Sequence, residues 1–242
     1  MQLYFVRHGQ SSNNHLAATT GSEVGRSDDP VLTDAGEQQA HHAGRFLSQR
    51  NGLPPHPNND LQNLGGFGIT HLYCSLMVRA VHTASILGEA LELKPVAWED
   101  LHEVGGIYLD TEPGIRTGQP GKNRAYFELH FPDMQLPAHL GADGWHAGRP
   151  YEDHDASRVR AEHWLKELIE RHGTTDDHVA LVSHGAFFMH VMRSLLRMPS
   201  VTEHRLWFEL ANCSISRVDF GGHFPVVLYI NRFDYLPREL IT

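Results

Sequence analysis

Strands that alternate with helices predict an α/β fold. The expected form is a three-layer sandwich: a mainly parallel central sheet, helices on both faces and a C-terminal hairpin. Three observations carry it. Residues 2–6 and 178–183 are short, nearly unbroken apolar runs, as strands buried on both faces require. Stretches of 3.6-residue periodicity separate the strand candidates. The tail alternates apolar and polar over 214–220 and again over 224–230, with Gly221-Gly222 between.

The elements follow in order. Residues 2–6 form the first strand. Thr33 is an N-cap, Asp34 and Glu37 face the positive end of a helix, and Ala40, Ala43, Phe46 and Leu47 give it an apolar stripe up to residue 50. Residues 51–68 are rich in Pro, Gly and Asn and predict a long surface loop, inserted or flexible. A second strand covers 69–73, and a helix covers 78–91 with Val81, Ala84, Leu87 and Leu91 on one side. Residues 95–98 form a short strand. From 105 to 150 glycine and proline break the pattern, which predicts a lid-like excursion with one short helix near 124–129. Helical spacing returns over 155–171, with Val159, Leu165, Leu168 and Ile169, and Gly173 is its C′ stop. A third buried strand over 178–183 leads into a helix over 186–196 that ends before Pro199. No repeat and no suitable linker divides the chain, so 1–242 is expected to be one domain.

Composition narrows the function. The 242 residues carry a net charge of −9 with histidine neutral, which argues against nucleic acid or an anionic membrane as the main partner. A local arginine cluster can still bind a small anion. Cys74 and Cys213 are the two cysteines, too few for a disulfide framework, so a reducing compartment is expected. No signal-peptide pattern opens the chain and no apolar run approaches ~20 residues, which points to a cytoplasmic protein with no membrane span. Histidine is abundant, at 19 residues. His41-His42 point about 100° apart on a helix, a poor start for one metal site, and no metal or cofactor is expected. A homodimer is a candidate assembly.

Four strand ends carry the chemistry. The first delivers Arg7-His8-Gly9, the second leads to Arg79 at a helix start, the segment after Trp98 supplies His102-Glu103, and the third delivers Ser183-His184-Gly185. In a parallel sheet these ends share one edge, so two histidines, two arginines and a glutamate converge. Arg7 offers a planar fork of donors for phosphate. His8 offers a nitrogen nucleophile that is substantially neutral near pH 7. Gly9 lets the backbone turn sharply beside a bound anion. Other motifs fail. Residues 102–106 lack the second histidine of a zinc-protease helix, Leu181 stands where a serine nucleophile elbow before Ser183 needs glycine, and residues 65–68 precede a strand instead of opening a helix.

The ordered set resembles the histidine phosphatase superfamily, or phosphoglycerate mutase-like family, over most of the chain. Arg7-His8-Gly9 resembles its signature tripeptide, with Gln10 and Asn14 matching later positions of that segment. Leu32-Thr33 with Gly36 matches its Leu-Thr-x-x-Gly helix start. Arg79, in Ser-x-x-x-Arg-Ala-x-x-Thr-Ala, matches its second phosphate-binding arginine, Glu103 its proton donor and His184-Gly185 its second histidine. The resemblance implies that His8 takes the phosphoryl group, that Arg7, Arg79, Asn14 and His184 hold its oxygens, and that Glu103 protonates the leaving oxygen. Gln10, Gly185, Arg116 and Arg124 are candidate substrate contacts. Glu99 and Asp100 compete with Glu103 for the acid role, and Trp145 and Tyr126 either wall the pocket or anchor the excursion.

Mutases of this family usually follow the proton donor with Tyr-Gly, a downstream lysine and an Arg-Arg-Ser segment. Here Val-Gly-Gly-Ile-Tyr follows Glu103, and 105–150 contains no Arg-Arg pair. The expected activity is therefore metal-independent hydrolysis of a small phosphomonoester through phosphohistidine. Mutase-type transfer is the alternative, followed by a non-catalytic or histidine-rich metal-binding protein on the same fold.

Overall fold

A computed structural model describes residues 1–50, 60–112, 114–198 and 207–242. Strand β1 (Gln2–Arg7) lies inside a six-stranded sheet. It runs parallel to β6 (His178–Ser183) on one side and antiparallel to β7 (Ile215–Asp219) on the other. β2 (His71–Cys74) pairs in parallel with β6 and with the short β3 (Val96–Ala97). β8 (Val226–Arg232) closes the far edge against β7. The order is thus β3-β2-β6-β1-β7-β8, with the expected parallel centre and C-terminal hairpin.

Two cores flank the sheet. Tyr4, Val6, Leu72, Cys74, Ala180 and Val182 pack against α2 (Asp34–Leu47) and α3 (Val78–Leu91). Leu3, Phe5, Tyr73, Val179 and Leu181 face the other way, onto α5 (His154–His172) and α6 (Gly185–Leu195). Successive strand residues point to opposite faces, so β1 must be apolar at both parities. Each fully buried Leu, Phe or Val on it contributes about 2 kcal/mol.

Several expectations need correction. The stripe of α5 runs through Ala161, Trp164, Leu165 and Leu168, while Val159 and Ile169 are exposed, because Trp164 fixes the buried face half a turn away. Gly173 ends α5 in the right-handed conformation (φ −59°), not in the left-handed one expected at a C′ stop. Glycine is needed there for space, since a Cβ would sit 2.5 Å from the Ile169 carbonyl oxygen. Helix α1 (Ser12–Thr20) was not foreseen: it buries no residue, so it shows no apolar stripe. Within 105–150 the short helix is present as α4 (Arg124–His130), and an unforeseen hairpin pairs β4 (Tyr108–Glu112) with β5 (Ile115–Gly118). Trp145 and Phe127 anchor this excursion in the core beside α3.

Of the loop expected at 51–68, residues 51–59 lie outside the described residues, as does Pro199. The described part is pinned. Asn63 Nδ2 donates to Tyr4 Oη at 2.7 Å, Tyr229 Oη donates to Asn63 Oδ1 at 2.8 Å, and Phe67 is buried. No described helix is long and apolar enough to cross a membrane.

Candidate active site

The carboxyl ends of β1, β2 and β6 meet at one edge and deliver His8, Ser75 and His184. Main-chain bonds hold them in register: His8 N–H donates to the Ser183 carbonyl at 3.0 Å, and Ser75 N–H to that of Val182 at 3.1 Å. The segment after His8 is clamped onto the start of α2. Thr33 N–H donates to the Gln10 carbonyl at 2.9 Å, and the Thr33 hydroxyl caps α2 through Gly36 N–H at 3.1 Å. A Cβ on Gly36 would meet the Gln10 carbonyl oxygen at 2.1 Å, and one on Gly9 would meet that of Gly36 at 2.4 Å. Two glycines thus permit the backbone contact that brings the α2 start against the segment that follows His8.

His8 is 3% exposed, and its ring is fixed at both nitrogens. Nδ1–H donates to the Gly9 carbonyl at 2.7 Å, which leaves a lone pair on Nε2. Arg79 Nε–H donates to that nitrogen at 3.1 Å. Burial first, then the Arg79 and Arg7 charges, hold the His8 imidazole well below its usual pKa, so it is neutral at pH 7. The His8 carbonyl accepts from Asn212 Nδ2 at 3.0 Å.

His184 lies beside it, with ring centroids 5.0 Å apart. Its Nε2 bonds Ser75 Oγ at 2.9 Å, and burial, then Arg79, keep this imidazole neutral too. Its Nδ1 is buried and, among the described residues, has no hydrogen-bond partner. Arg7 Nε is in the same condition. Arg7 Nη1 donates to the Leu210 carbonyl, and a Cβ on Gly185 would sit 3.7 Å from Arg7 Nε, which places Arg7 beside the start of α6. Two buried nitrogens without partners among the described residues therefore belong to side chains near His8: the His184 ring packs beside it, and the Arg7 charge lowers its pKa. Such groups are costly to leave unpaired.

Glu103 reaches the same helix start. Its carboxylate accepts from Val104 N–H at 2.9 Å, Phe187 N–H at 2.8 Å and Ala186 N–H at 3.2 Å. It caps the positive end of α6, where the N-cap His184 offers no side-chain bond. Its charge is also felt by Arg7 and Arg79. Glu99 turns outward instead, onto Arg149 and His139. Asn14 Oδ1 accepts from Ser11 N–H at 3.1 Å and from Asn212 Nδ2 at 3.3 Å, so its amide is one residue removed from His8.

The remaining sequence candidates lie elsewhere or are occupied. Gln10 is buried, and its side-chain oxygen accepts from the Thr33 hydroxyl at 2.8 Å. Arg124 is spent on its own loop: its guanidinium bonds the Leu140 carbonyl at 2.8 Å, the Pro137 carbonyl at 2.5 Å and Glu128 at 3.2 Å. An arginine at a helix start beside free carbonyls has those partners at hand, and its guanidinium is engaged within its own loop. Arg116 lies exposed on β5, donates to Tyr151 Oη at 2.5 Å and borders a cavity of about 460 Å³ with Arg149 and Tyr151. Trp145 anchors the excursion, being buried in the core.

Sequence reasoning missed Asn212 and Asp29 and gave no role to Ser75. Asp29 is 5% exposed; Oδ1 accepts from Val78 N–H at 3.0 Å at the start of α3, and Oδ2 has no partner among the described residues. Burial pushes its carboxyl up to about 6, against the pull of Arg79. Small polar residues in loops give no periodic signal: Ser75 was visible only as the first residue of the segment around Arg79, with no role attached, and nothing marked Asn212 or Asp29.

Two neutral histidines, the buried Arg79 and the partly buried Arg7 gather at the carboxyl edge of a parallel sheet, so cationic donors and an unprotonated ring nitrogen lie together there. The model of the histidine phosphatase superfamily (branch 1) matches residues 3–53 and 61–232, and the chain belongs to that family. A probable phosphoglycerate mutase GpmB from Yersinia enterocolitica is 31% identical over 225 residues, covering 91% of this chain and 85% of that protein. Among solved structures, Entamoeba histolytica phosphoserine phosphatase in complex with 3-phosphoglyceric acid superposes with a TM-score of 0.60 at 20% identity, covering 98% and 99% of the two chains. A mycobacterial glucosyl-3-phosphoglycerate phosphatase gives 0.56 at 21% identity, covering 95% and 98%. These two likenesses are of fold.

Proposed function

We propose that the protein hydrolyses a small phosphomonoester without metal, through a phosphohistidine at His8. The observation that carries this reading is the His8 ring itself: Nδ1–H is tied to a carbonyl and Nε2 has a lone pair facing a guanidinium. In the first step Nε2 attacks phosphorus, an N–P bond forms, and the ester P–O bond breaks. The Arg79 N–H passes from Nε2 to a phosphoryl oxygen as the lone pair is used. Arg7 Nε–H and His184 Nδ1–H supply further donors, the latter in the tautomer in which Ser75 Oγ–H donates to Nε2. Asn14 Nδ2 adds another. Fixed donors on the equatorial oxygens stabilise the charge of the transition state. With the phosphate dianion bound beside it, Glu103 takes up a proton, gives it to the leaving alkoxide, and as the carboxylate then takes a proton from the water that breaks the N–P bond and releases orthophosphate.

Arg26, stacked on Tyr108 at 4.1 Å, is felt by Arg79, and Lys122 is felt by Asp29. They give the surroundings of the cage a positive field that suits an anionic metabolite. Mutase-type transfer is the second reading, favoured by the name of the relative at 31% identity. The phosphatase reading is preferred because Arg124, one of the excursion's cations, is committed to its own loop.

The test is phosphate release from p-nitrophenyl phosphate and a panel of phosphorylated metabolites, with chelator present. His8→Ala should lose at least ~10³-fold in kcat/KM, as loss of a nucleophile does. Equal rates in the two proteins sink the phosphohistidine mechanism. Interconversion of phosphoglycerates with little free phosphate transfers the assignment to mutase.

A further inference from the structure

His71, His172 and Asp177 gather at the opposite edge of the sheet from His8. His71 opens β2, His172 closes α5 and Asp177 immediately precedes β6. One ligand-type atom from each lies within 4.8 Å of the other two. His172 Nδ1 is 2.8 Å from Asp177 Oδ2, and His71 Nδ1 is 3.8 Å from Asp177 Oδ1. Ligands about 2.1 Å from a tetrahedral zinc ion stand roughly 3.4 Å apart. The two histidine–carboxylate separations, to different oxygens of Asp177, bracket that value, and the widest ligand separation, within 4.8 Å, closes by about 1.4 Å at most to form one coordination shell.

Its surroundings are those of a supported site. Tyr73 Oη lies 3.0 Å from His172 Nε2, on the far side of the ring from Asp177. A ligating histidine needs such a partner for its second nitrogen, which fixes the tautomer and the ring plane. The Tyr73 hydroxyl donates to Nε2 while Nδ1 carries the proton, and accepts from Nε2–H once Nδ1 is a ligand. Thr175 Oγ1 donates to Asp177 Oδ2 at 2.6 Å and steadies the carboxylate. Thr70 Oγ1, 2.9 Å from His71 Nδ1, competes for that nitrogen and must yield it. The His71 and Asp177 side chains are 40% and 26% exposed, whereas that of His172 is 6% exposed. Solvent therefore reaches two of the three ligands and can fill a remaining position.

We propose that His71, His172 and Asp177 bind one divalent transition-metal ion, with two imidazoles and a carboxylate matching zinc and its neighbours better than magnesium or calcium. The ion is no part of the phosphoryl chemistry. Four residues of extended chain separate His71 from Ser75, about 13 Å at the usual strand rise. It acts as a staple that joins the start of β2, the end of α5 and the start of β6.

Chelator-stripped, full-length protein is titrated with Zn²⁺ by calorimetry and with Co²⁺ by visible absorption, with thermal unfolding followed in parallel. The expected result is one dominant 1:1 site, cobalt bands of low coordination number, and a higher Tm with metal. His71→Gln and Asp177→Asn should each weaken binding more than ~100-fold, and Tyr73→Phe by about 10–100-fold as an outer-shell loss. His139→Ala, at an exposed histidine outside the cluster, should bind as the wild type does. His71 is half-exposed, so His71→Gln remains informative even if Asp177→Asn unfolds. Phosphatase rates with and without zinc separate this proposal from the hydrolytic one, because it requires no change in them. Equal zinc affinity in wild type, His71→Gln and Tyr73→Phe overturns the site, as does the absence of a 1:1 phase in the wild type.

Discussion

Replacing Asp29 by asparagine perturbs the electrostatics beneath Arg79 without changing shape. The carboxyl is buried, one oxygen accepts from Val78 N–H, and the other has no partner among the described residues. Burial raises its pKa from 3.8 to about 6, while Arg79 and the Val78 bond pull it down. An acid with a raised native pKa holds its proton longer in the folded state than in the unfolded one. Between about pH 4 and 6 the native protein therefore binds more protons, and stability falls as pH rises through that window. Two decades of proton affinity correspond to a cost of about 3 kcal/mol that persists at neutral pH. Asparagine keeps the acceptor for Val78 and removes the charge. Asp29→Asn should be about 2–3 kcal/mol more stable than wild type at pH 8 and within ~0.5 kcal/mol of it at pH 4. Urea denaturation at the two pH values measures this. A gap of the same size at both, or a loss of stability at pH 8, refutes the reasoning.

Three further outcomes are expected. Glu103→Gln should lose about 10²–10⁴-fold on alkyl phosphates, whose leaving groups need a proton, and far less on p-nitrophenyl phosphate; a uniform loss argues against the donor role. Gly36→Ala should cost about 3 kcal/mol in chemical denaturation, because the new Cβ meets backbone and no side chain can yield; an unchanged midpoint sinks the close-contact account. His8 is already neutral at pH 7, so log kcat/KM, corrected for ionisation of the substrate phosphate, should show no acid limb centred near the ordinary histidine value of about 6.5. A limb there contradicts the buried, arginine-flanked imidazole.

The large elements were legible because their apolar patterns are long and each is buried on a defined face. β1, β6, α2 and α3 show this, as does the alternating tail that became β7 and β8. The β4–β5 hairpin was not, because most of its residues are exposed, and two solvent-facing strands need no alternation. Helix α1 buries nothing and depends on a capping box between Ser11 and Asn14, a local signal with no hydrophobic counterpart. At the site, Arg7, His8, Arg79, Glu103 and His184 fall together because each ends or begins an element of one sheet edge. Asn212 and Asp29 escaped, and Ser75 showed only as part of the segment around Arg79, since their meaning lies in what they bond and not in what surrounds them in sequence. Arg124 shows the converse: a cation in a loop looks the same from sequence whether it greets a ligand or three groups of its own neighbourhood.

The placement of β1 has a consequence for how the chain assembles. β1, which leads to His8, precedes the other strands of its sheet, yet both its partners are late: Gln2 pairs with His178 and with Asp219. During synthesis at about 5–20 residues per second, the first strand therefore spends some ten seconds or more with both edges and both apolar faces unsatisfied. Loop closures of that span make folding slow, and an uncovered apolar strand invites pairing with other chains. The protein should depend on chaperones or dilution during refolding more than its modest size implies, and catalytic competence should appear last, after the C-terminal hairpin has closed over β1.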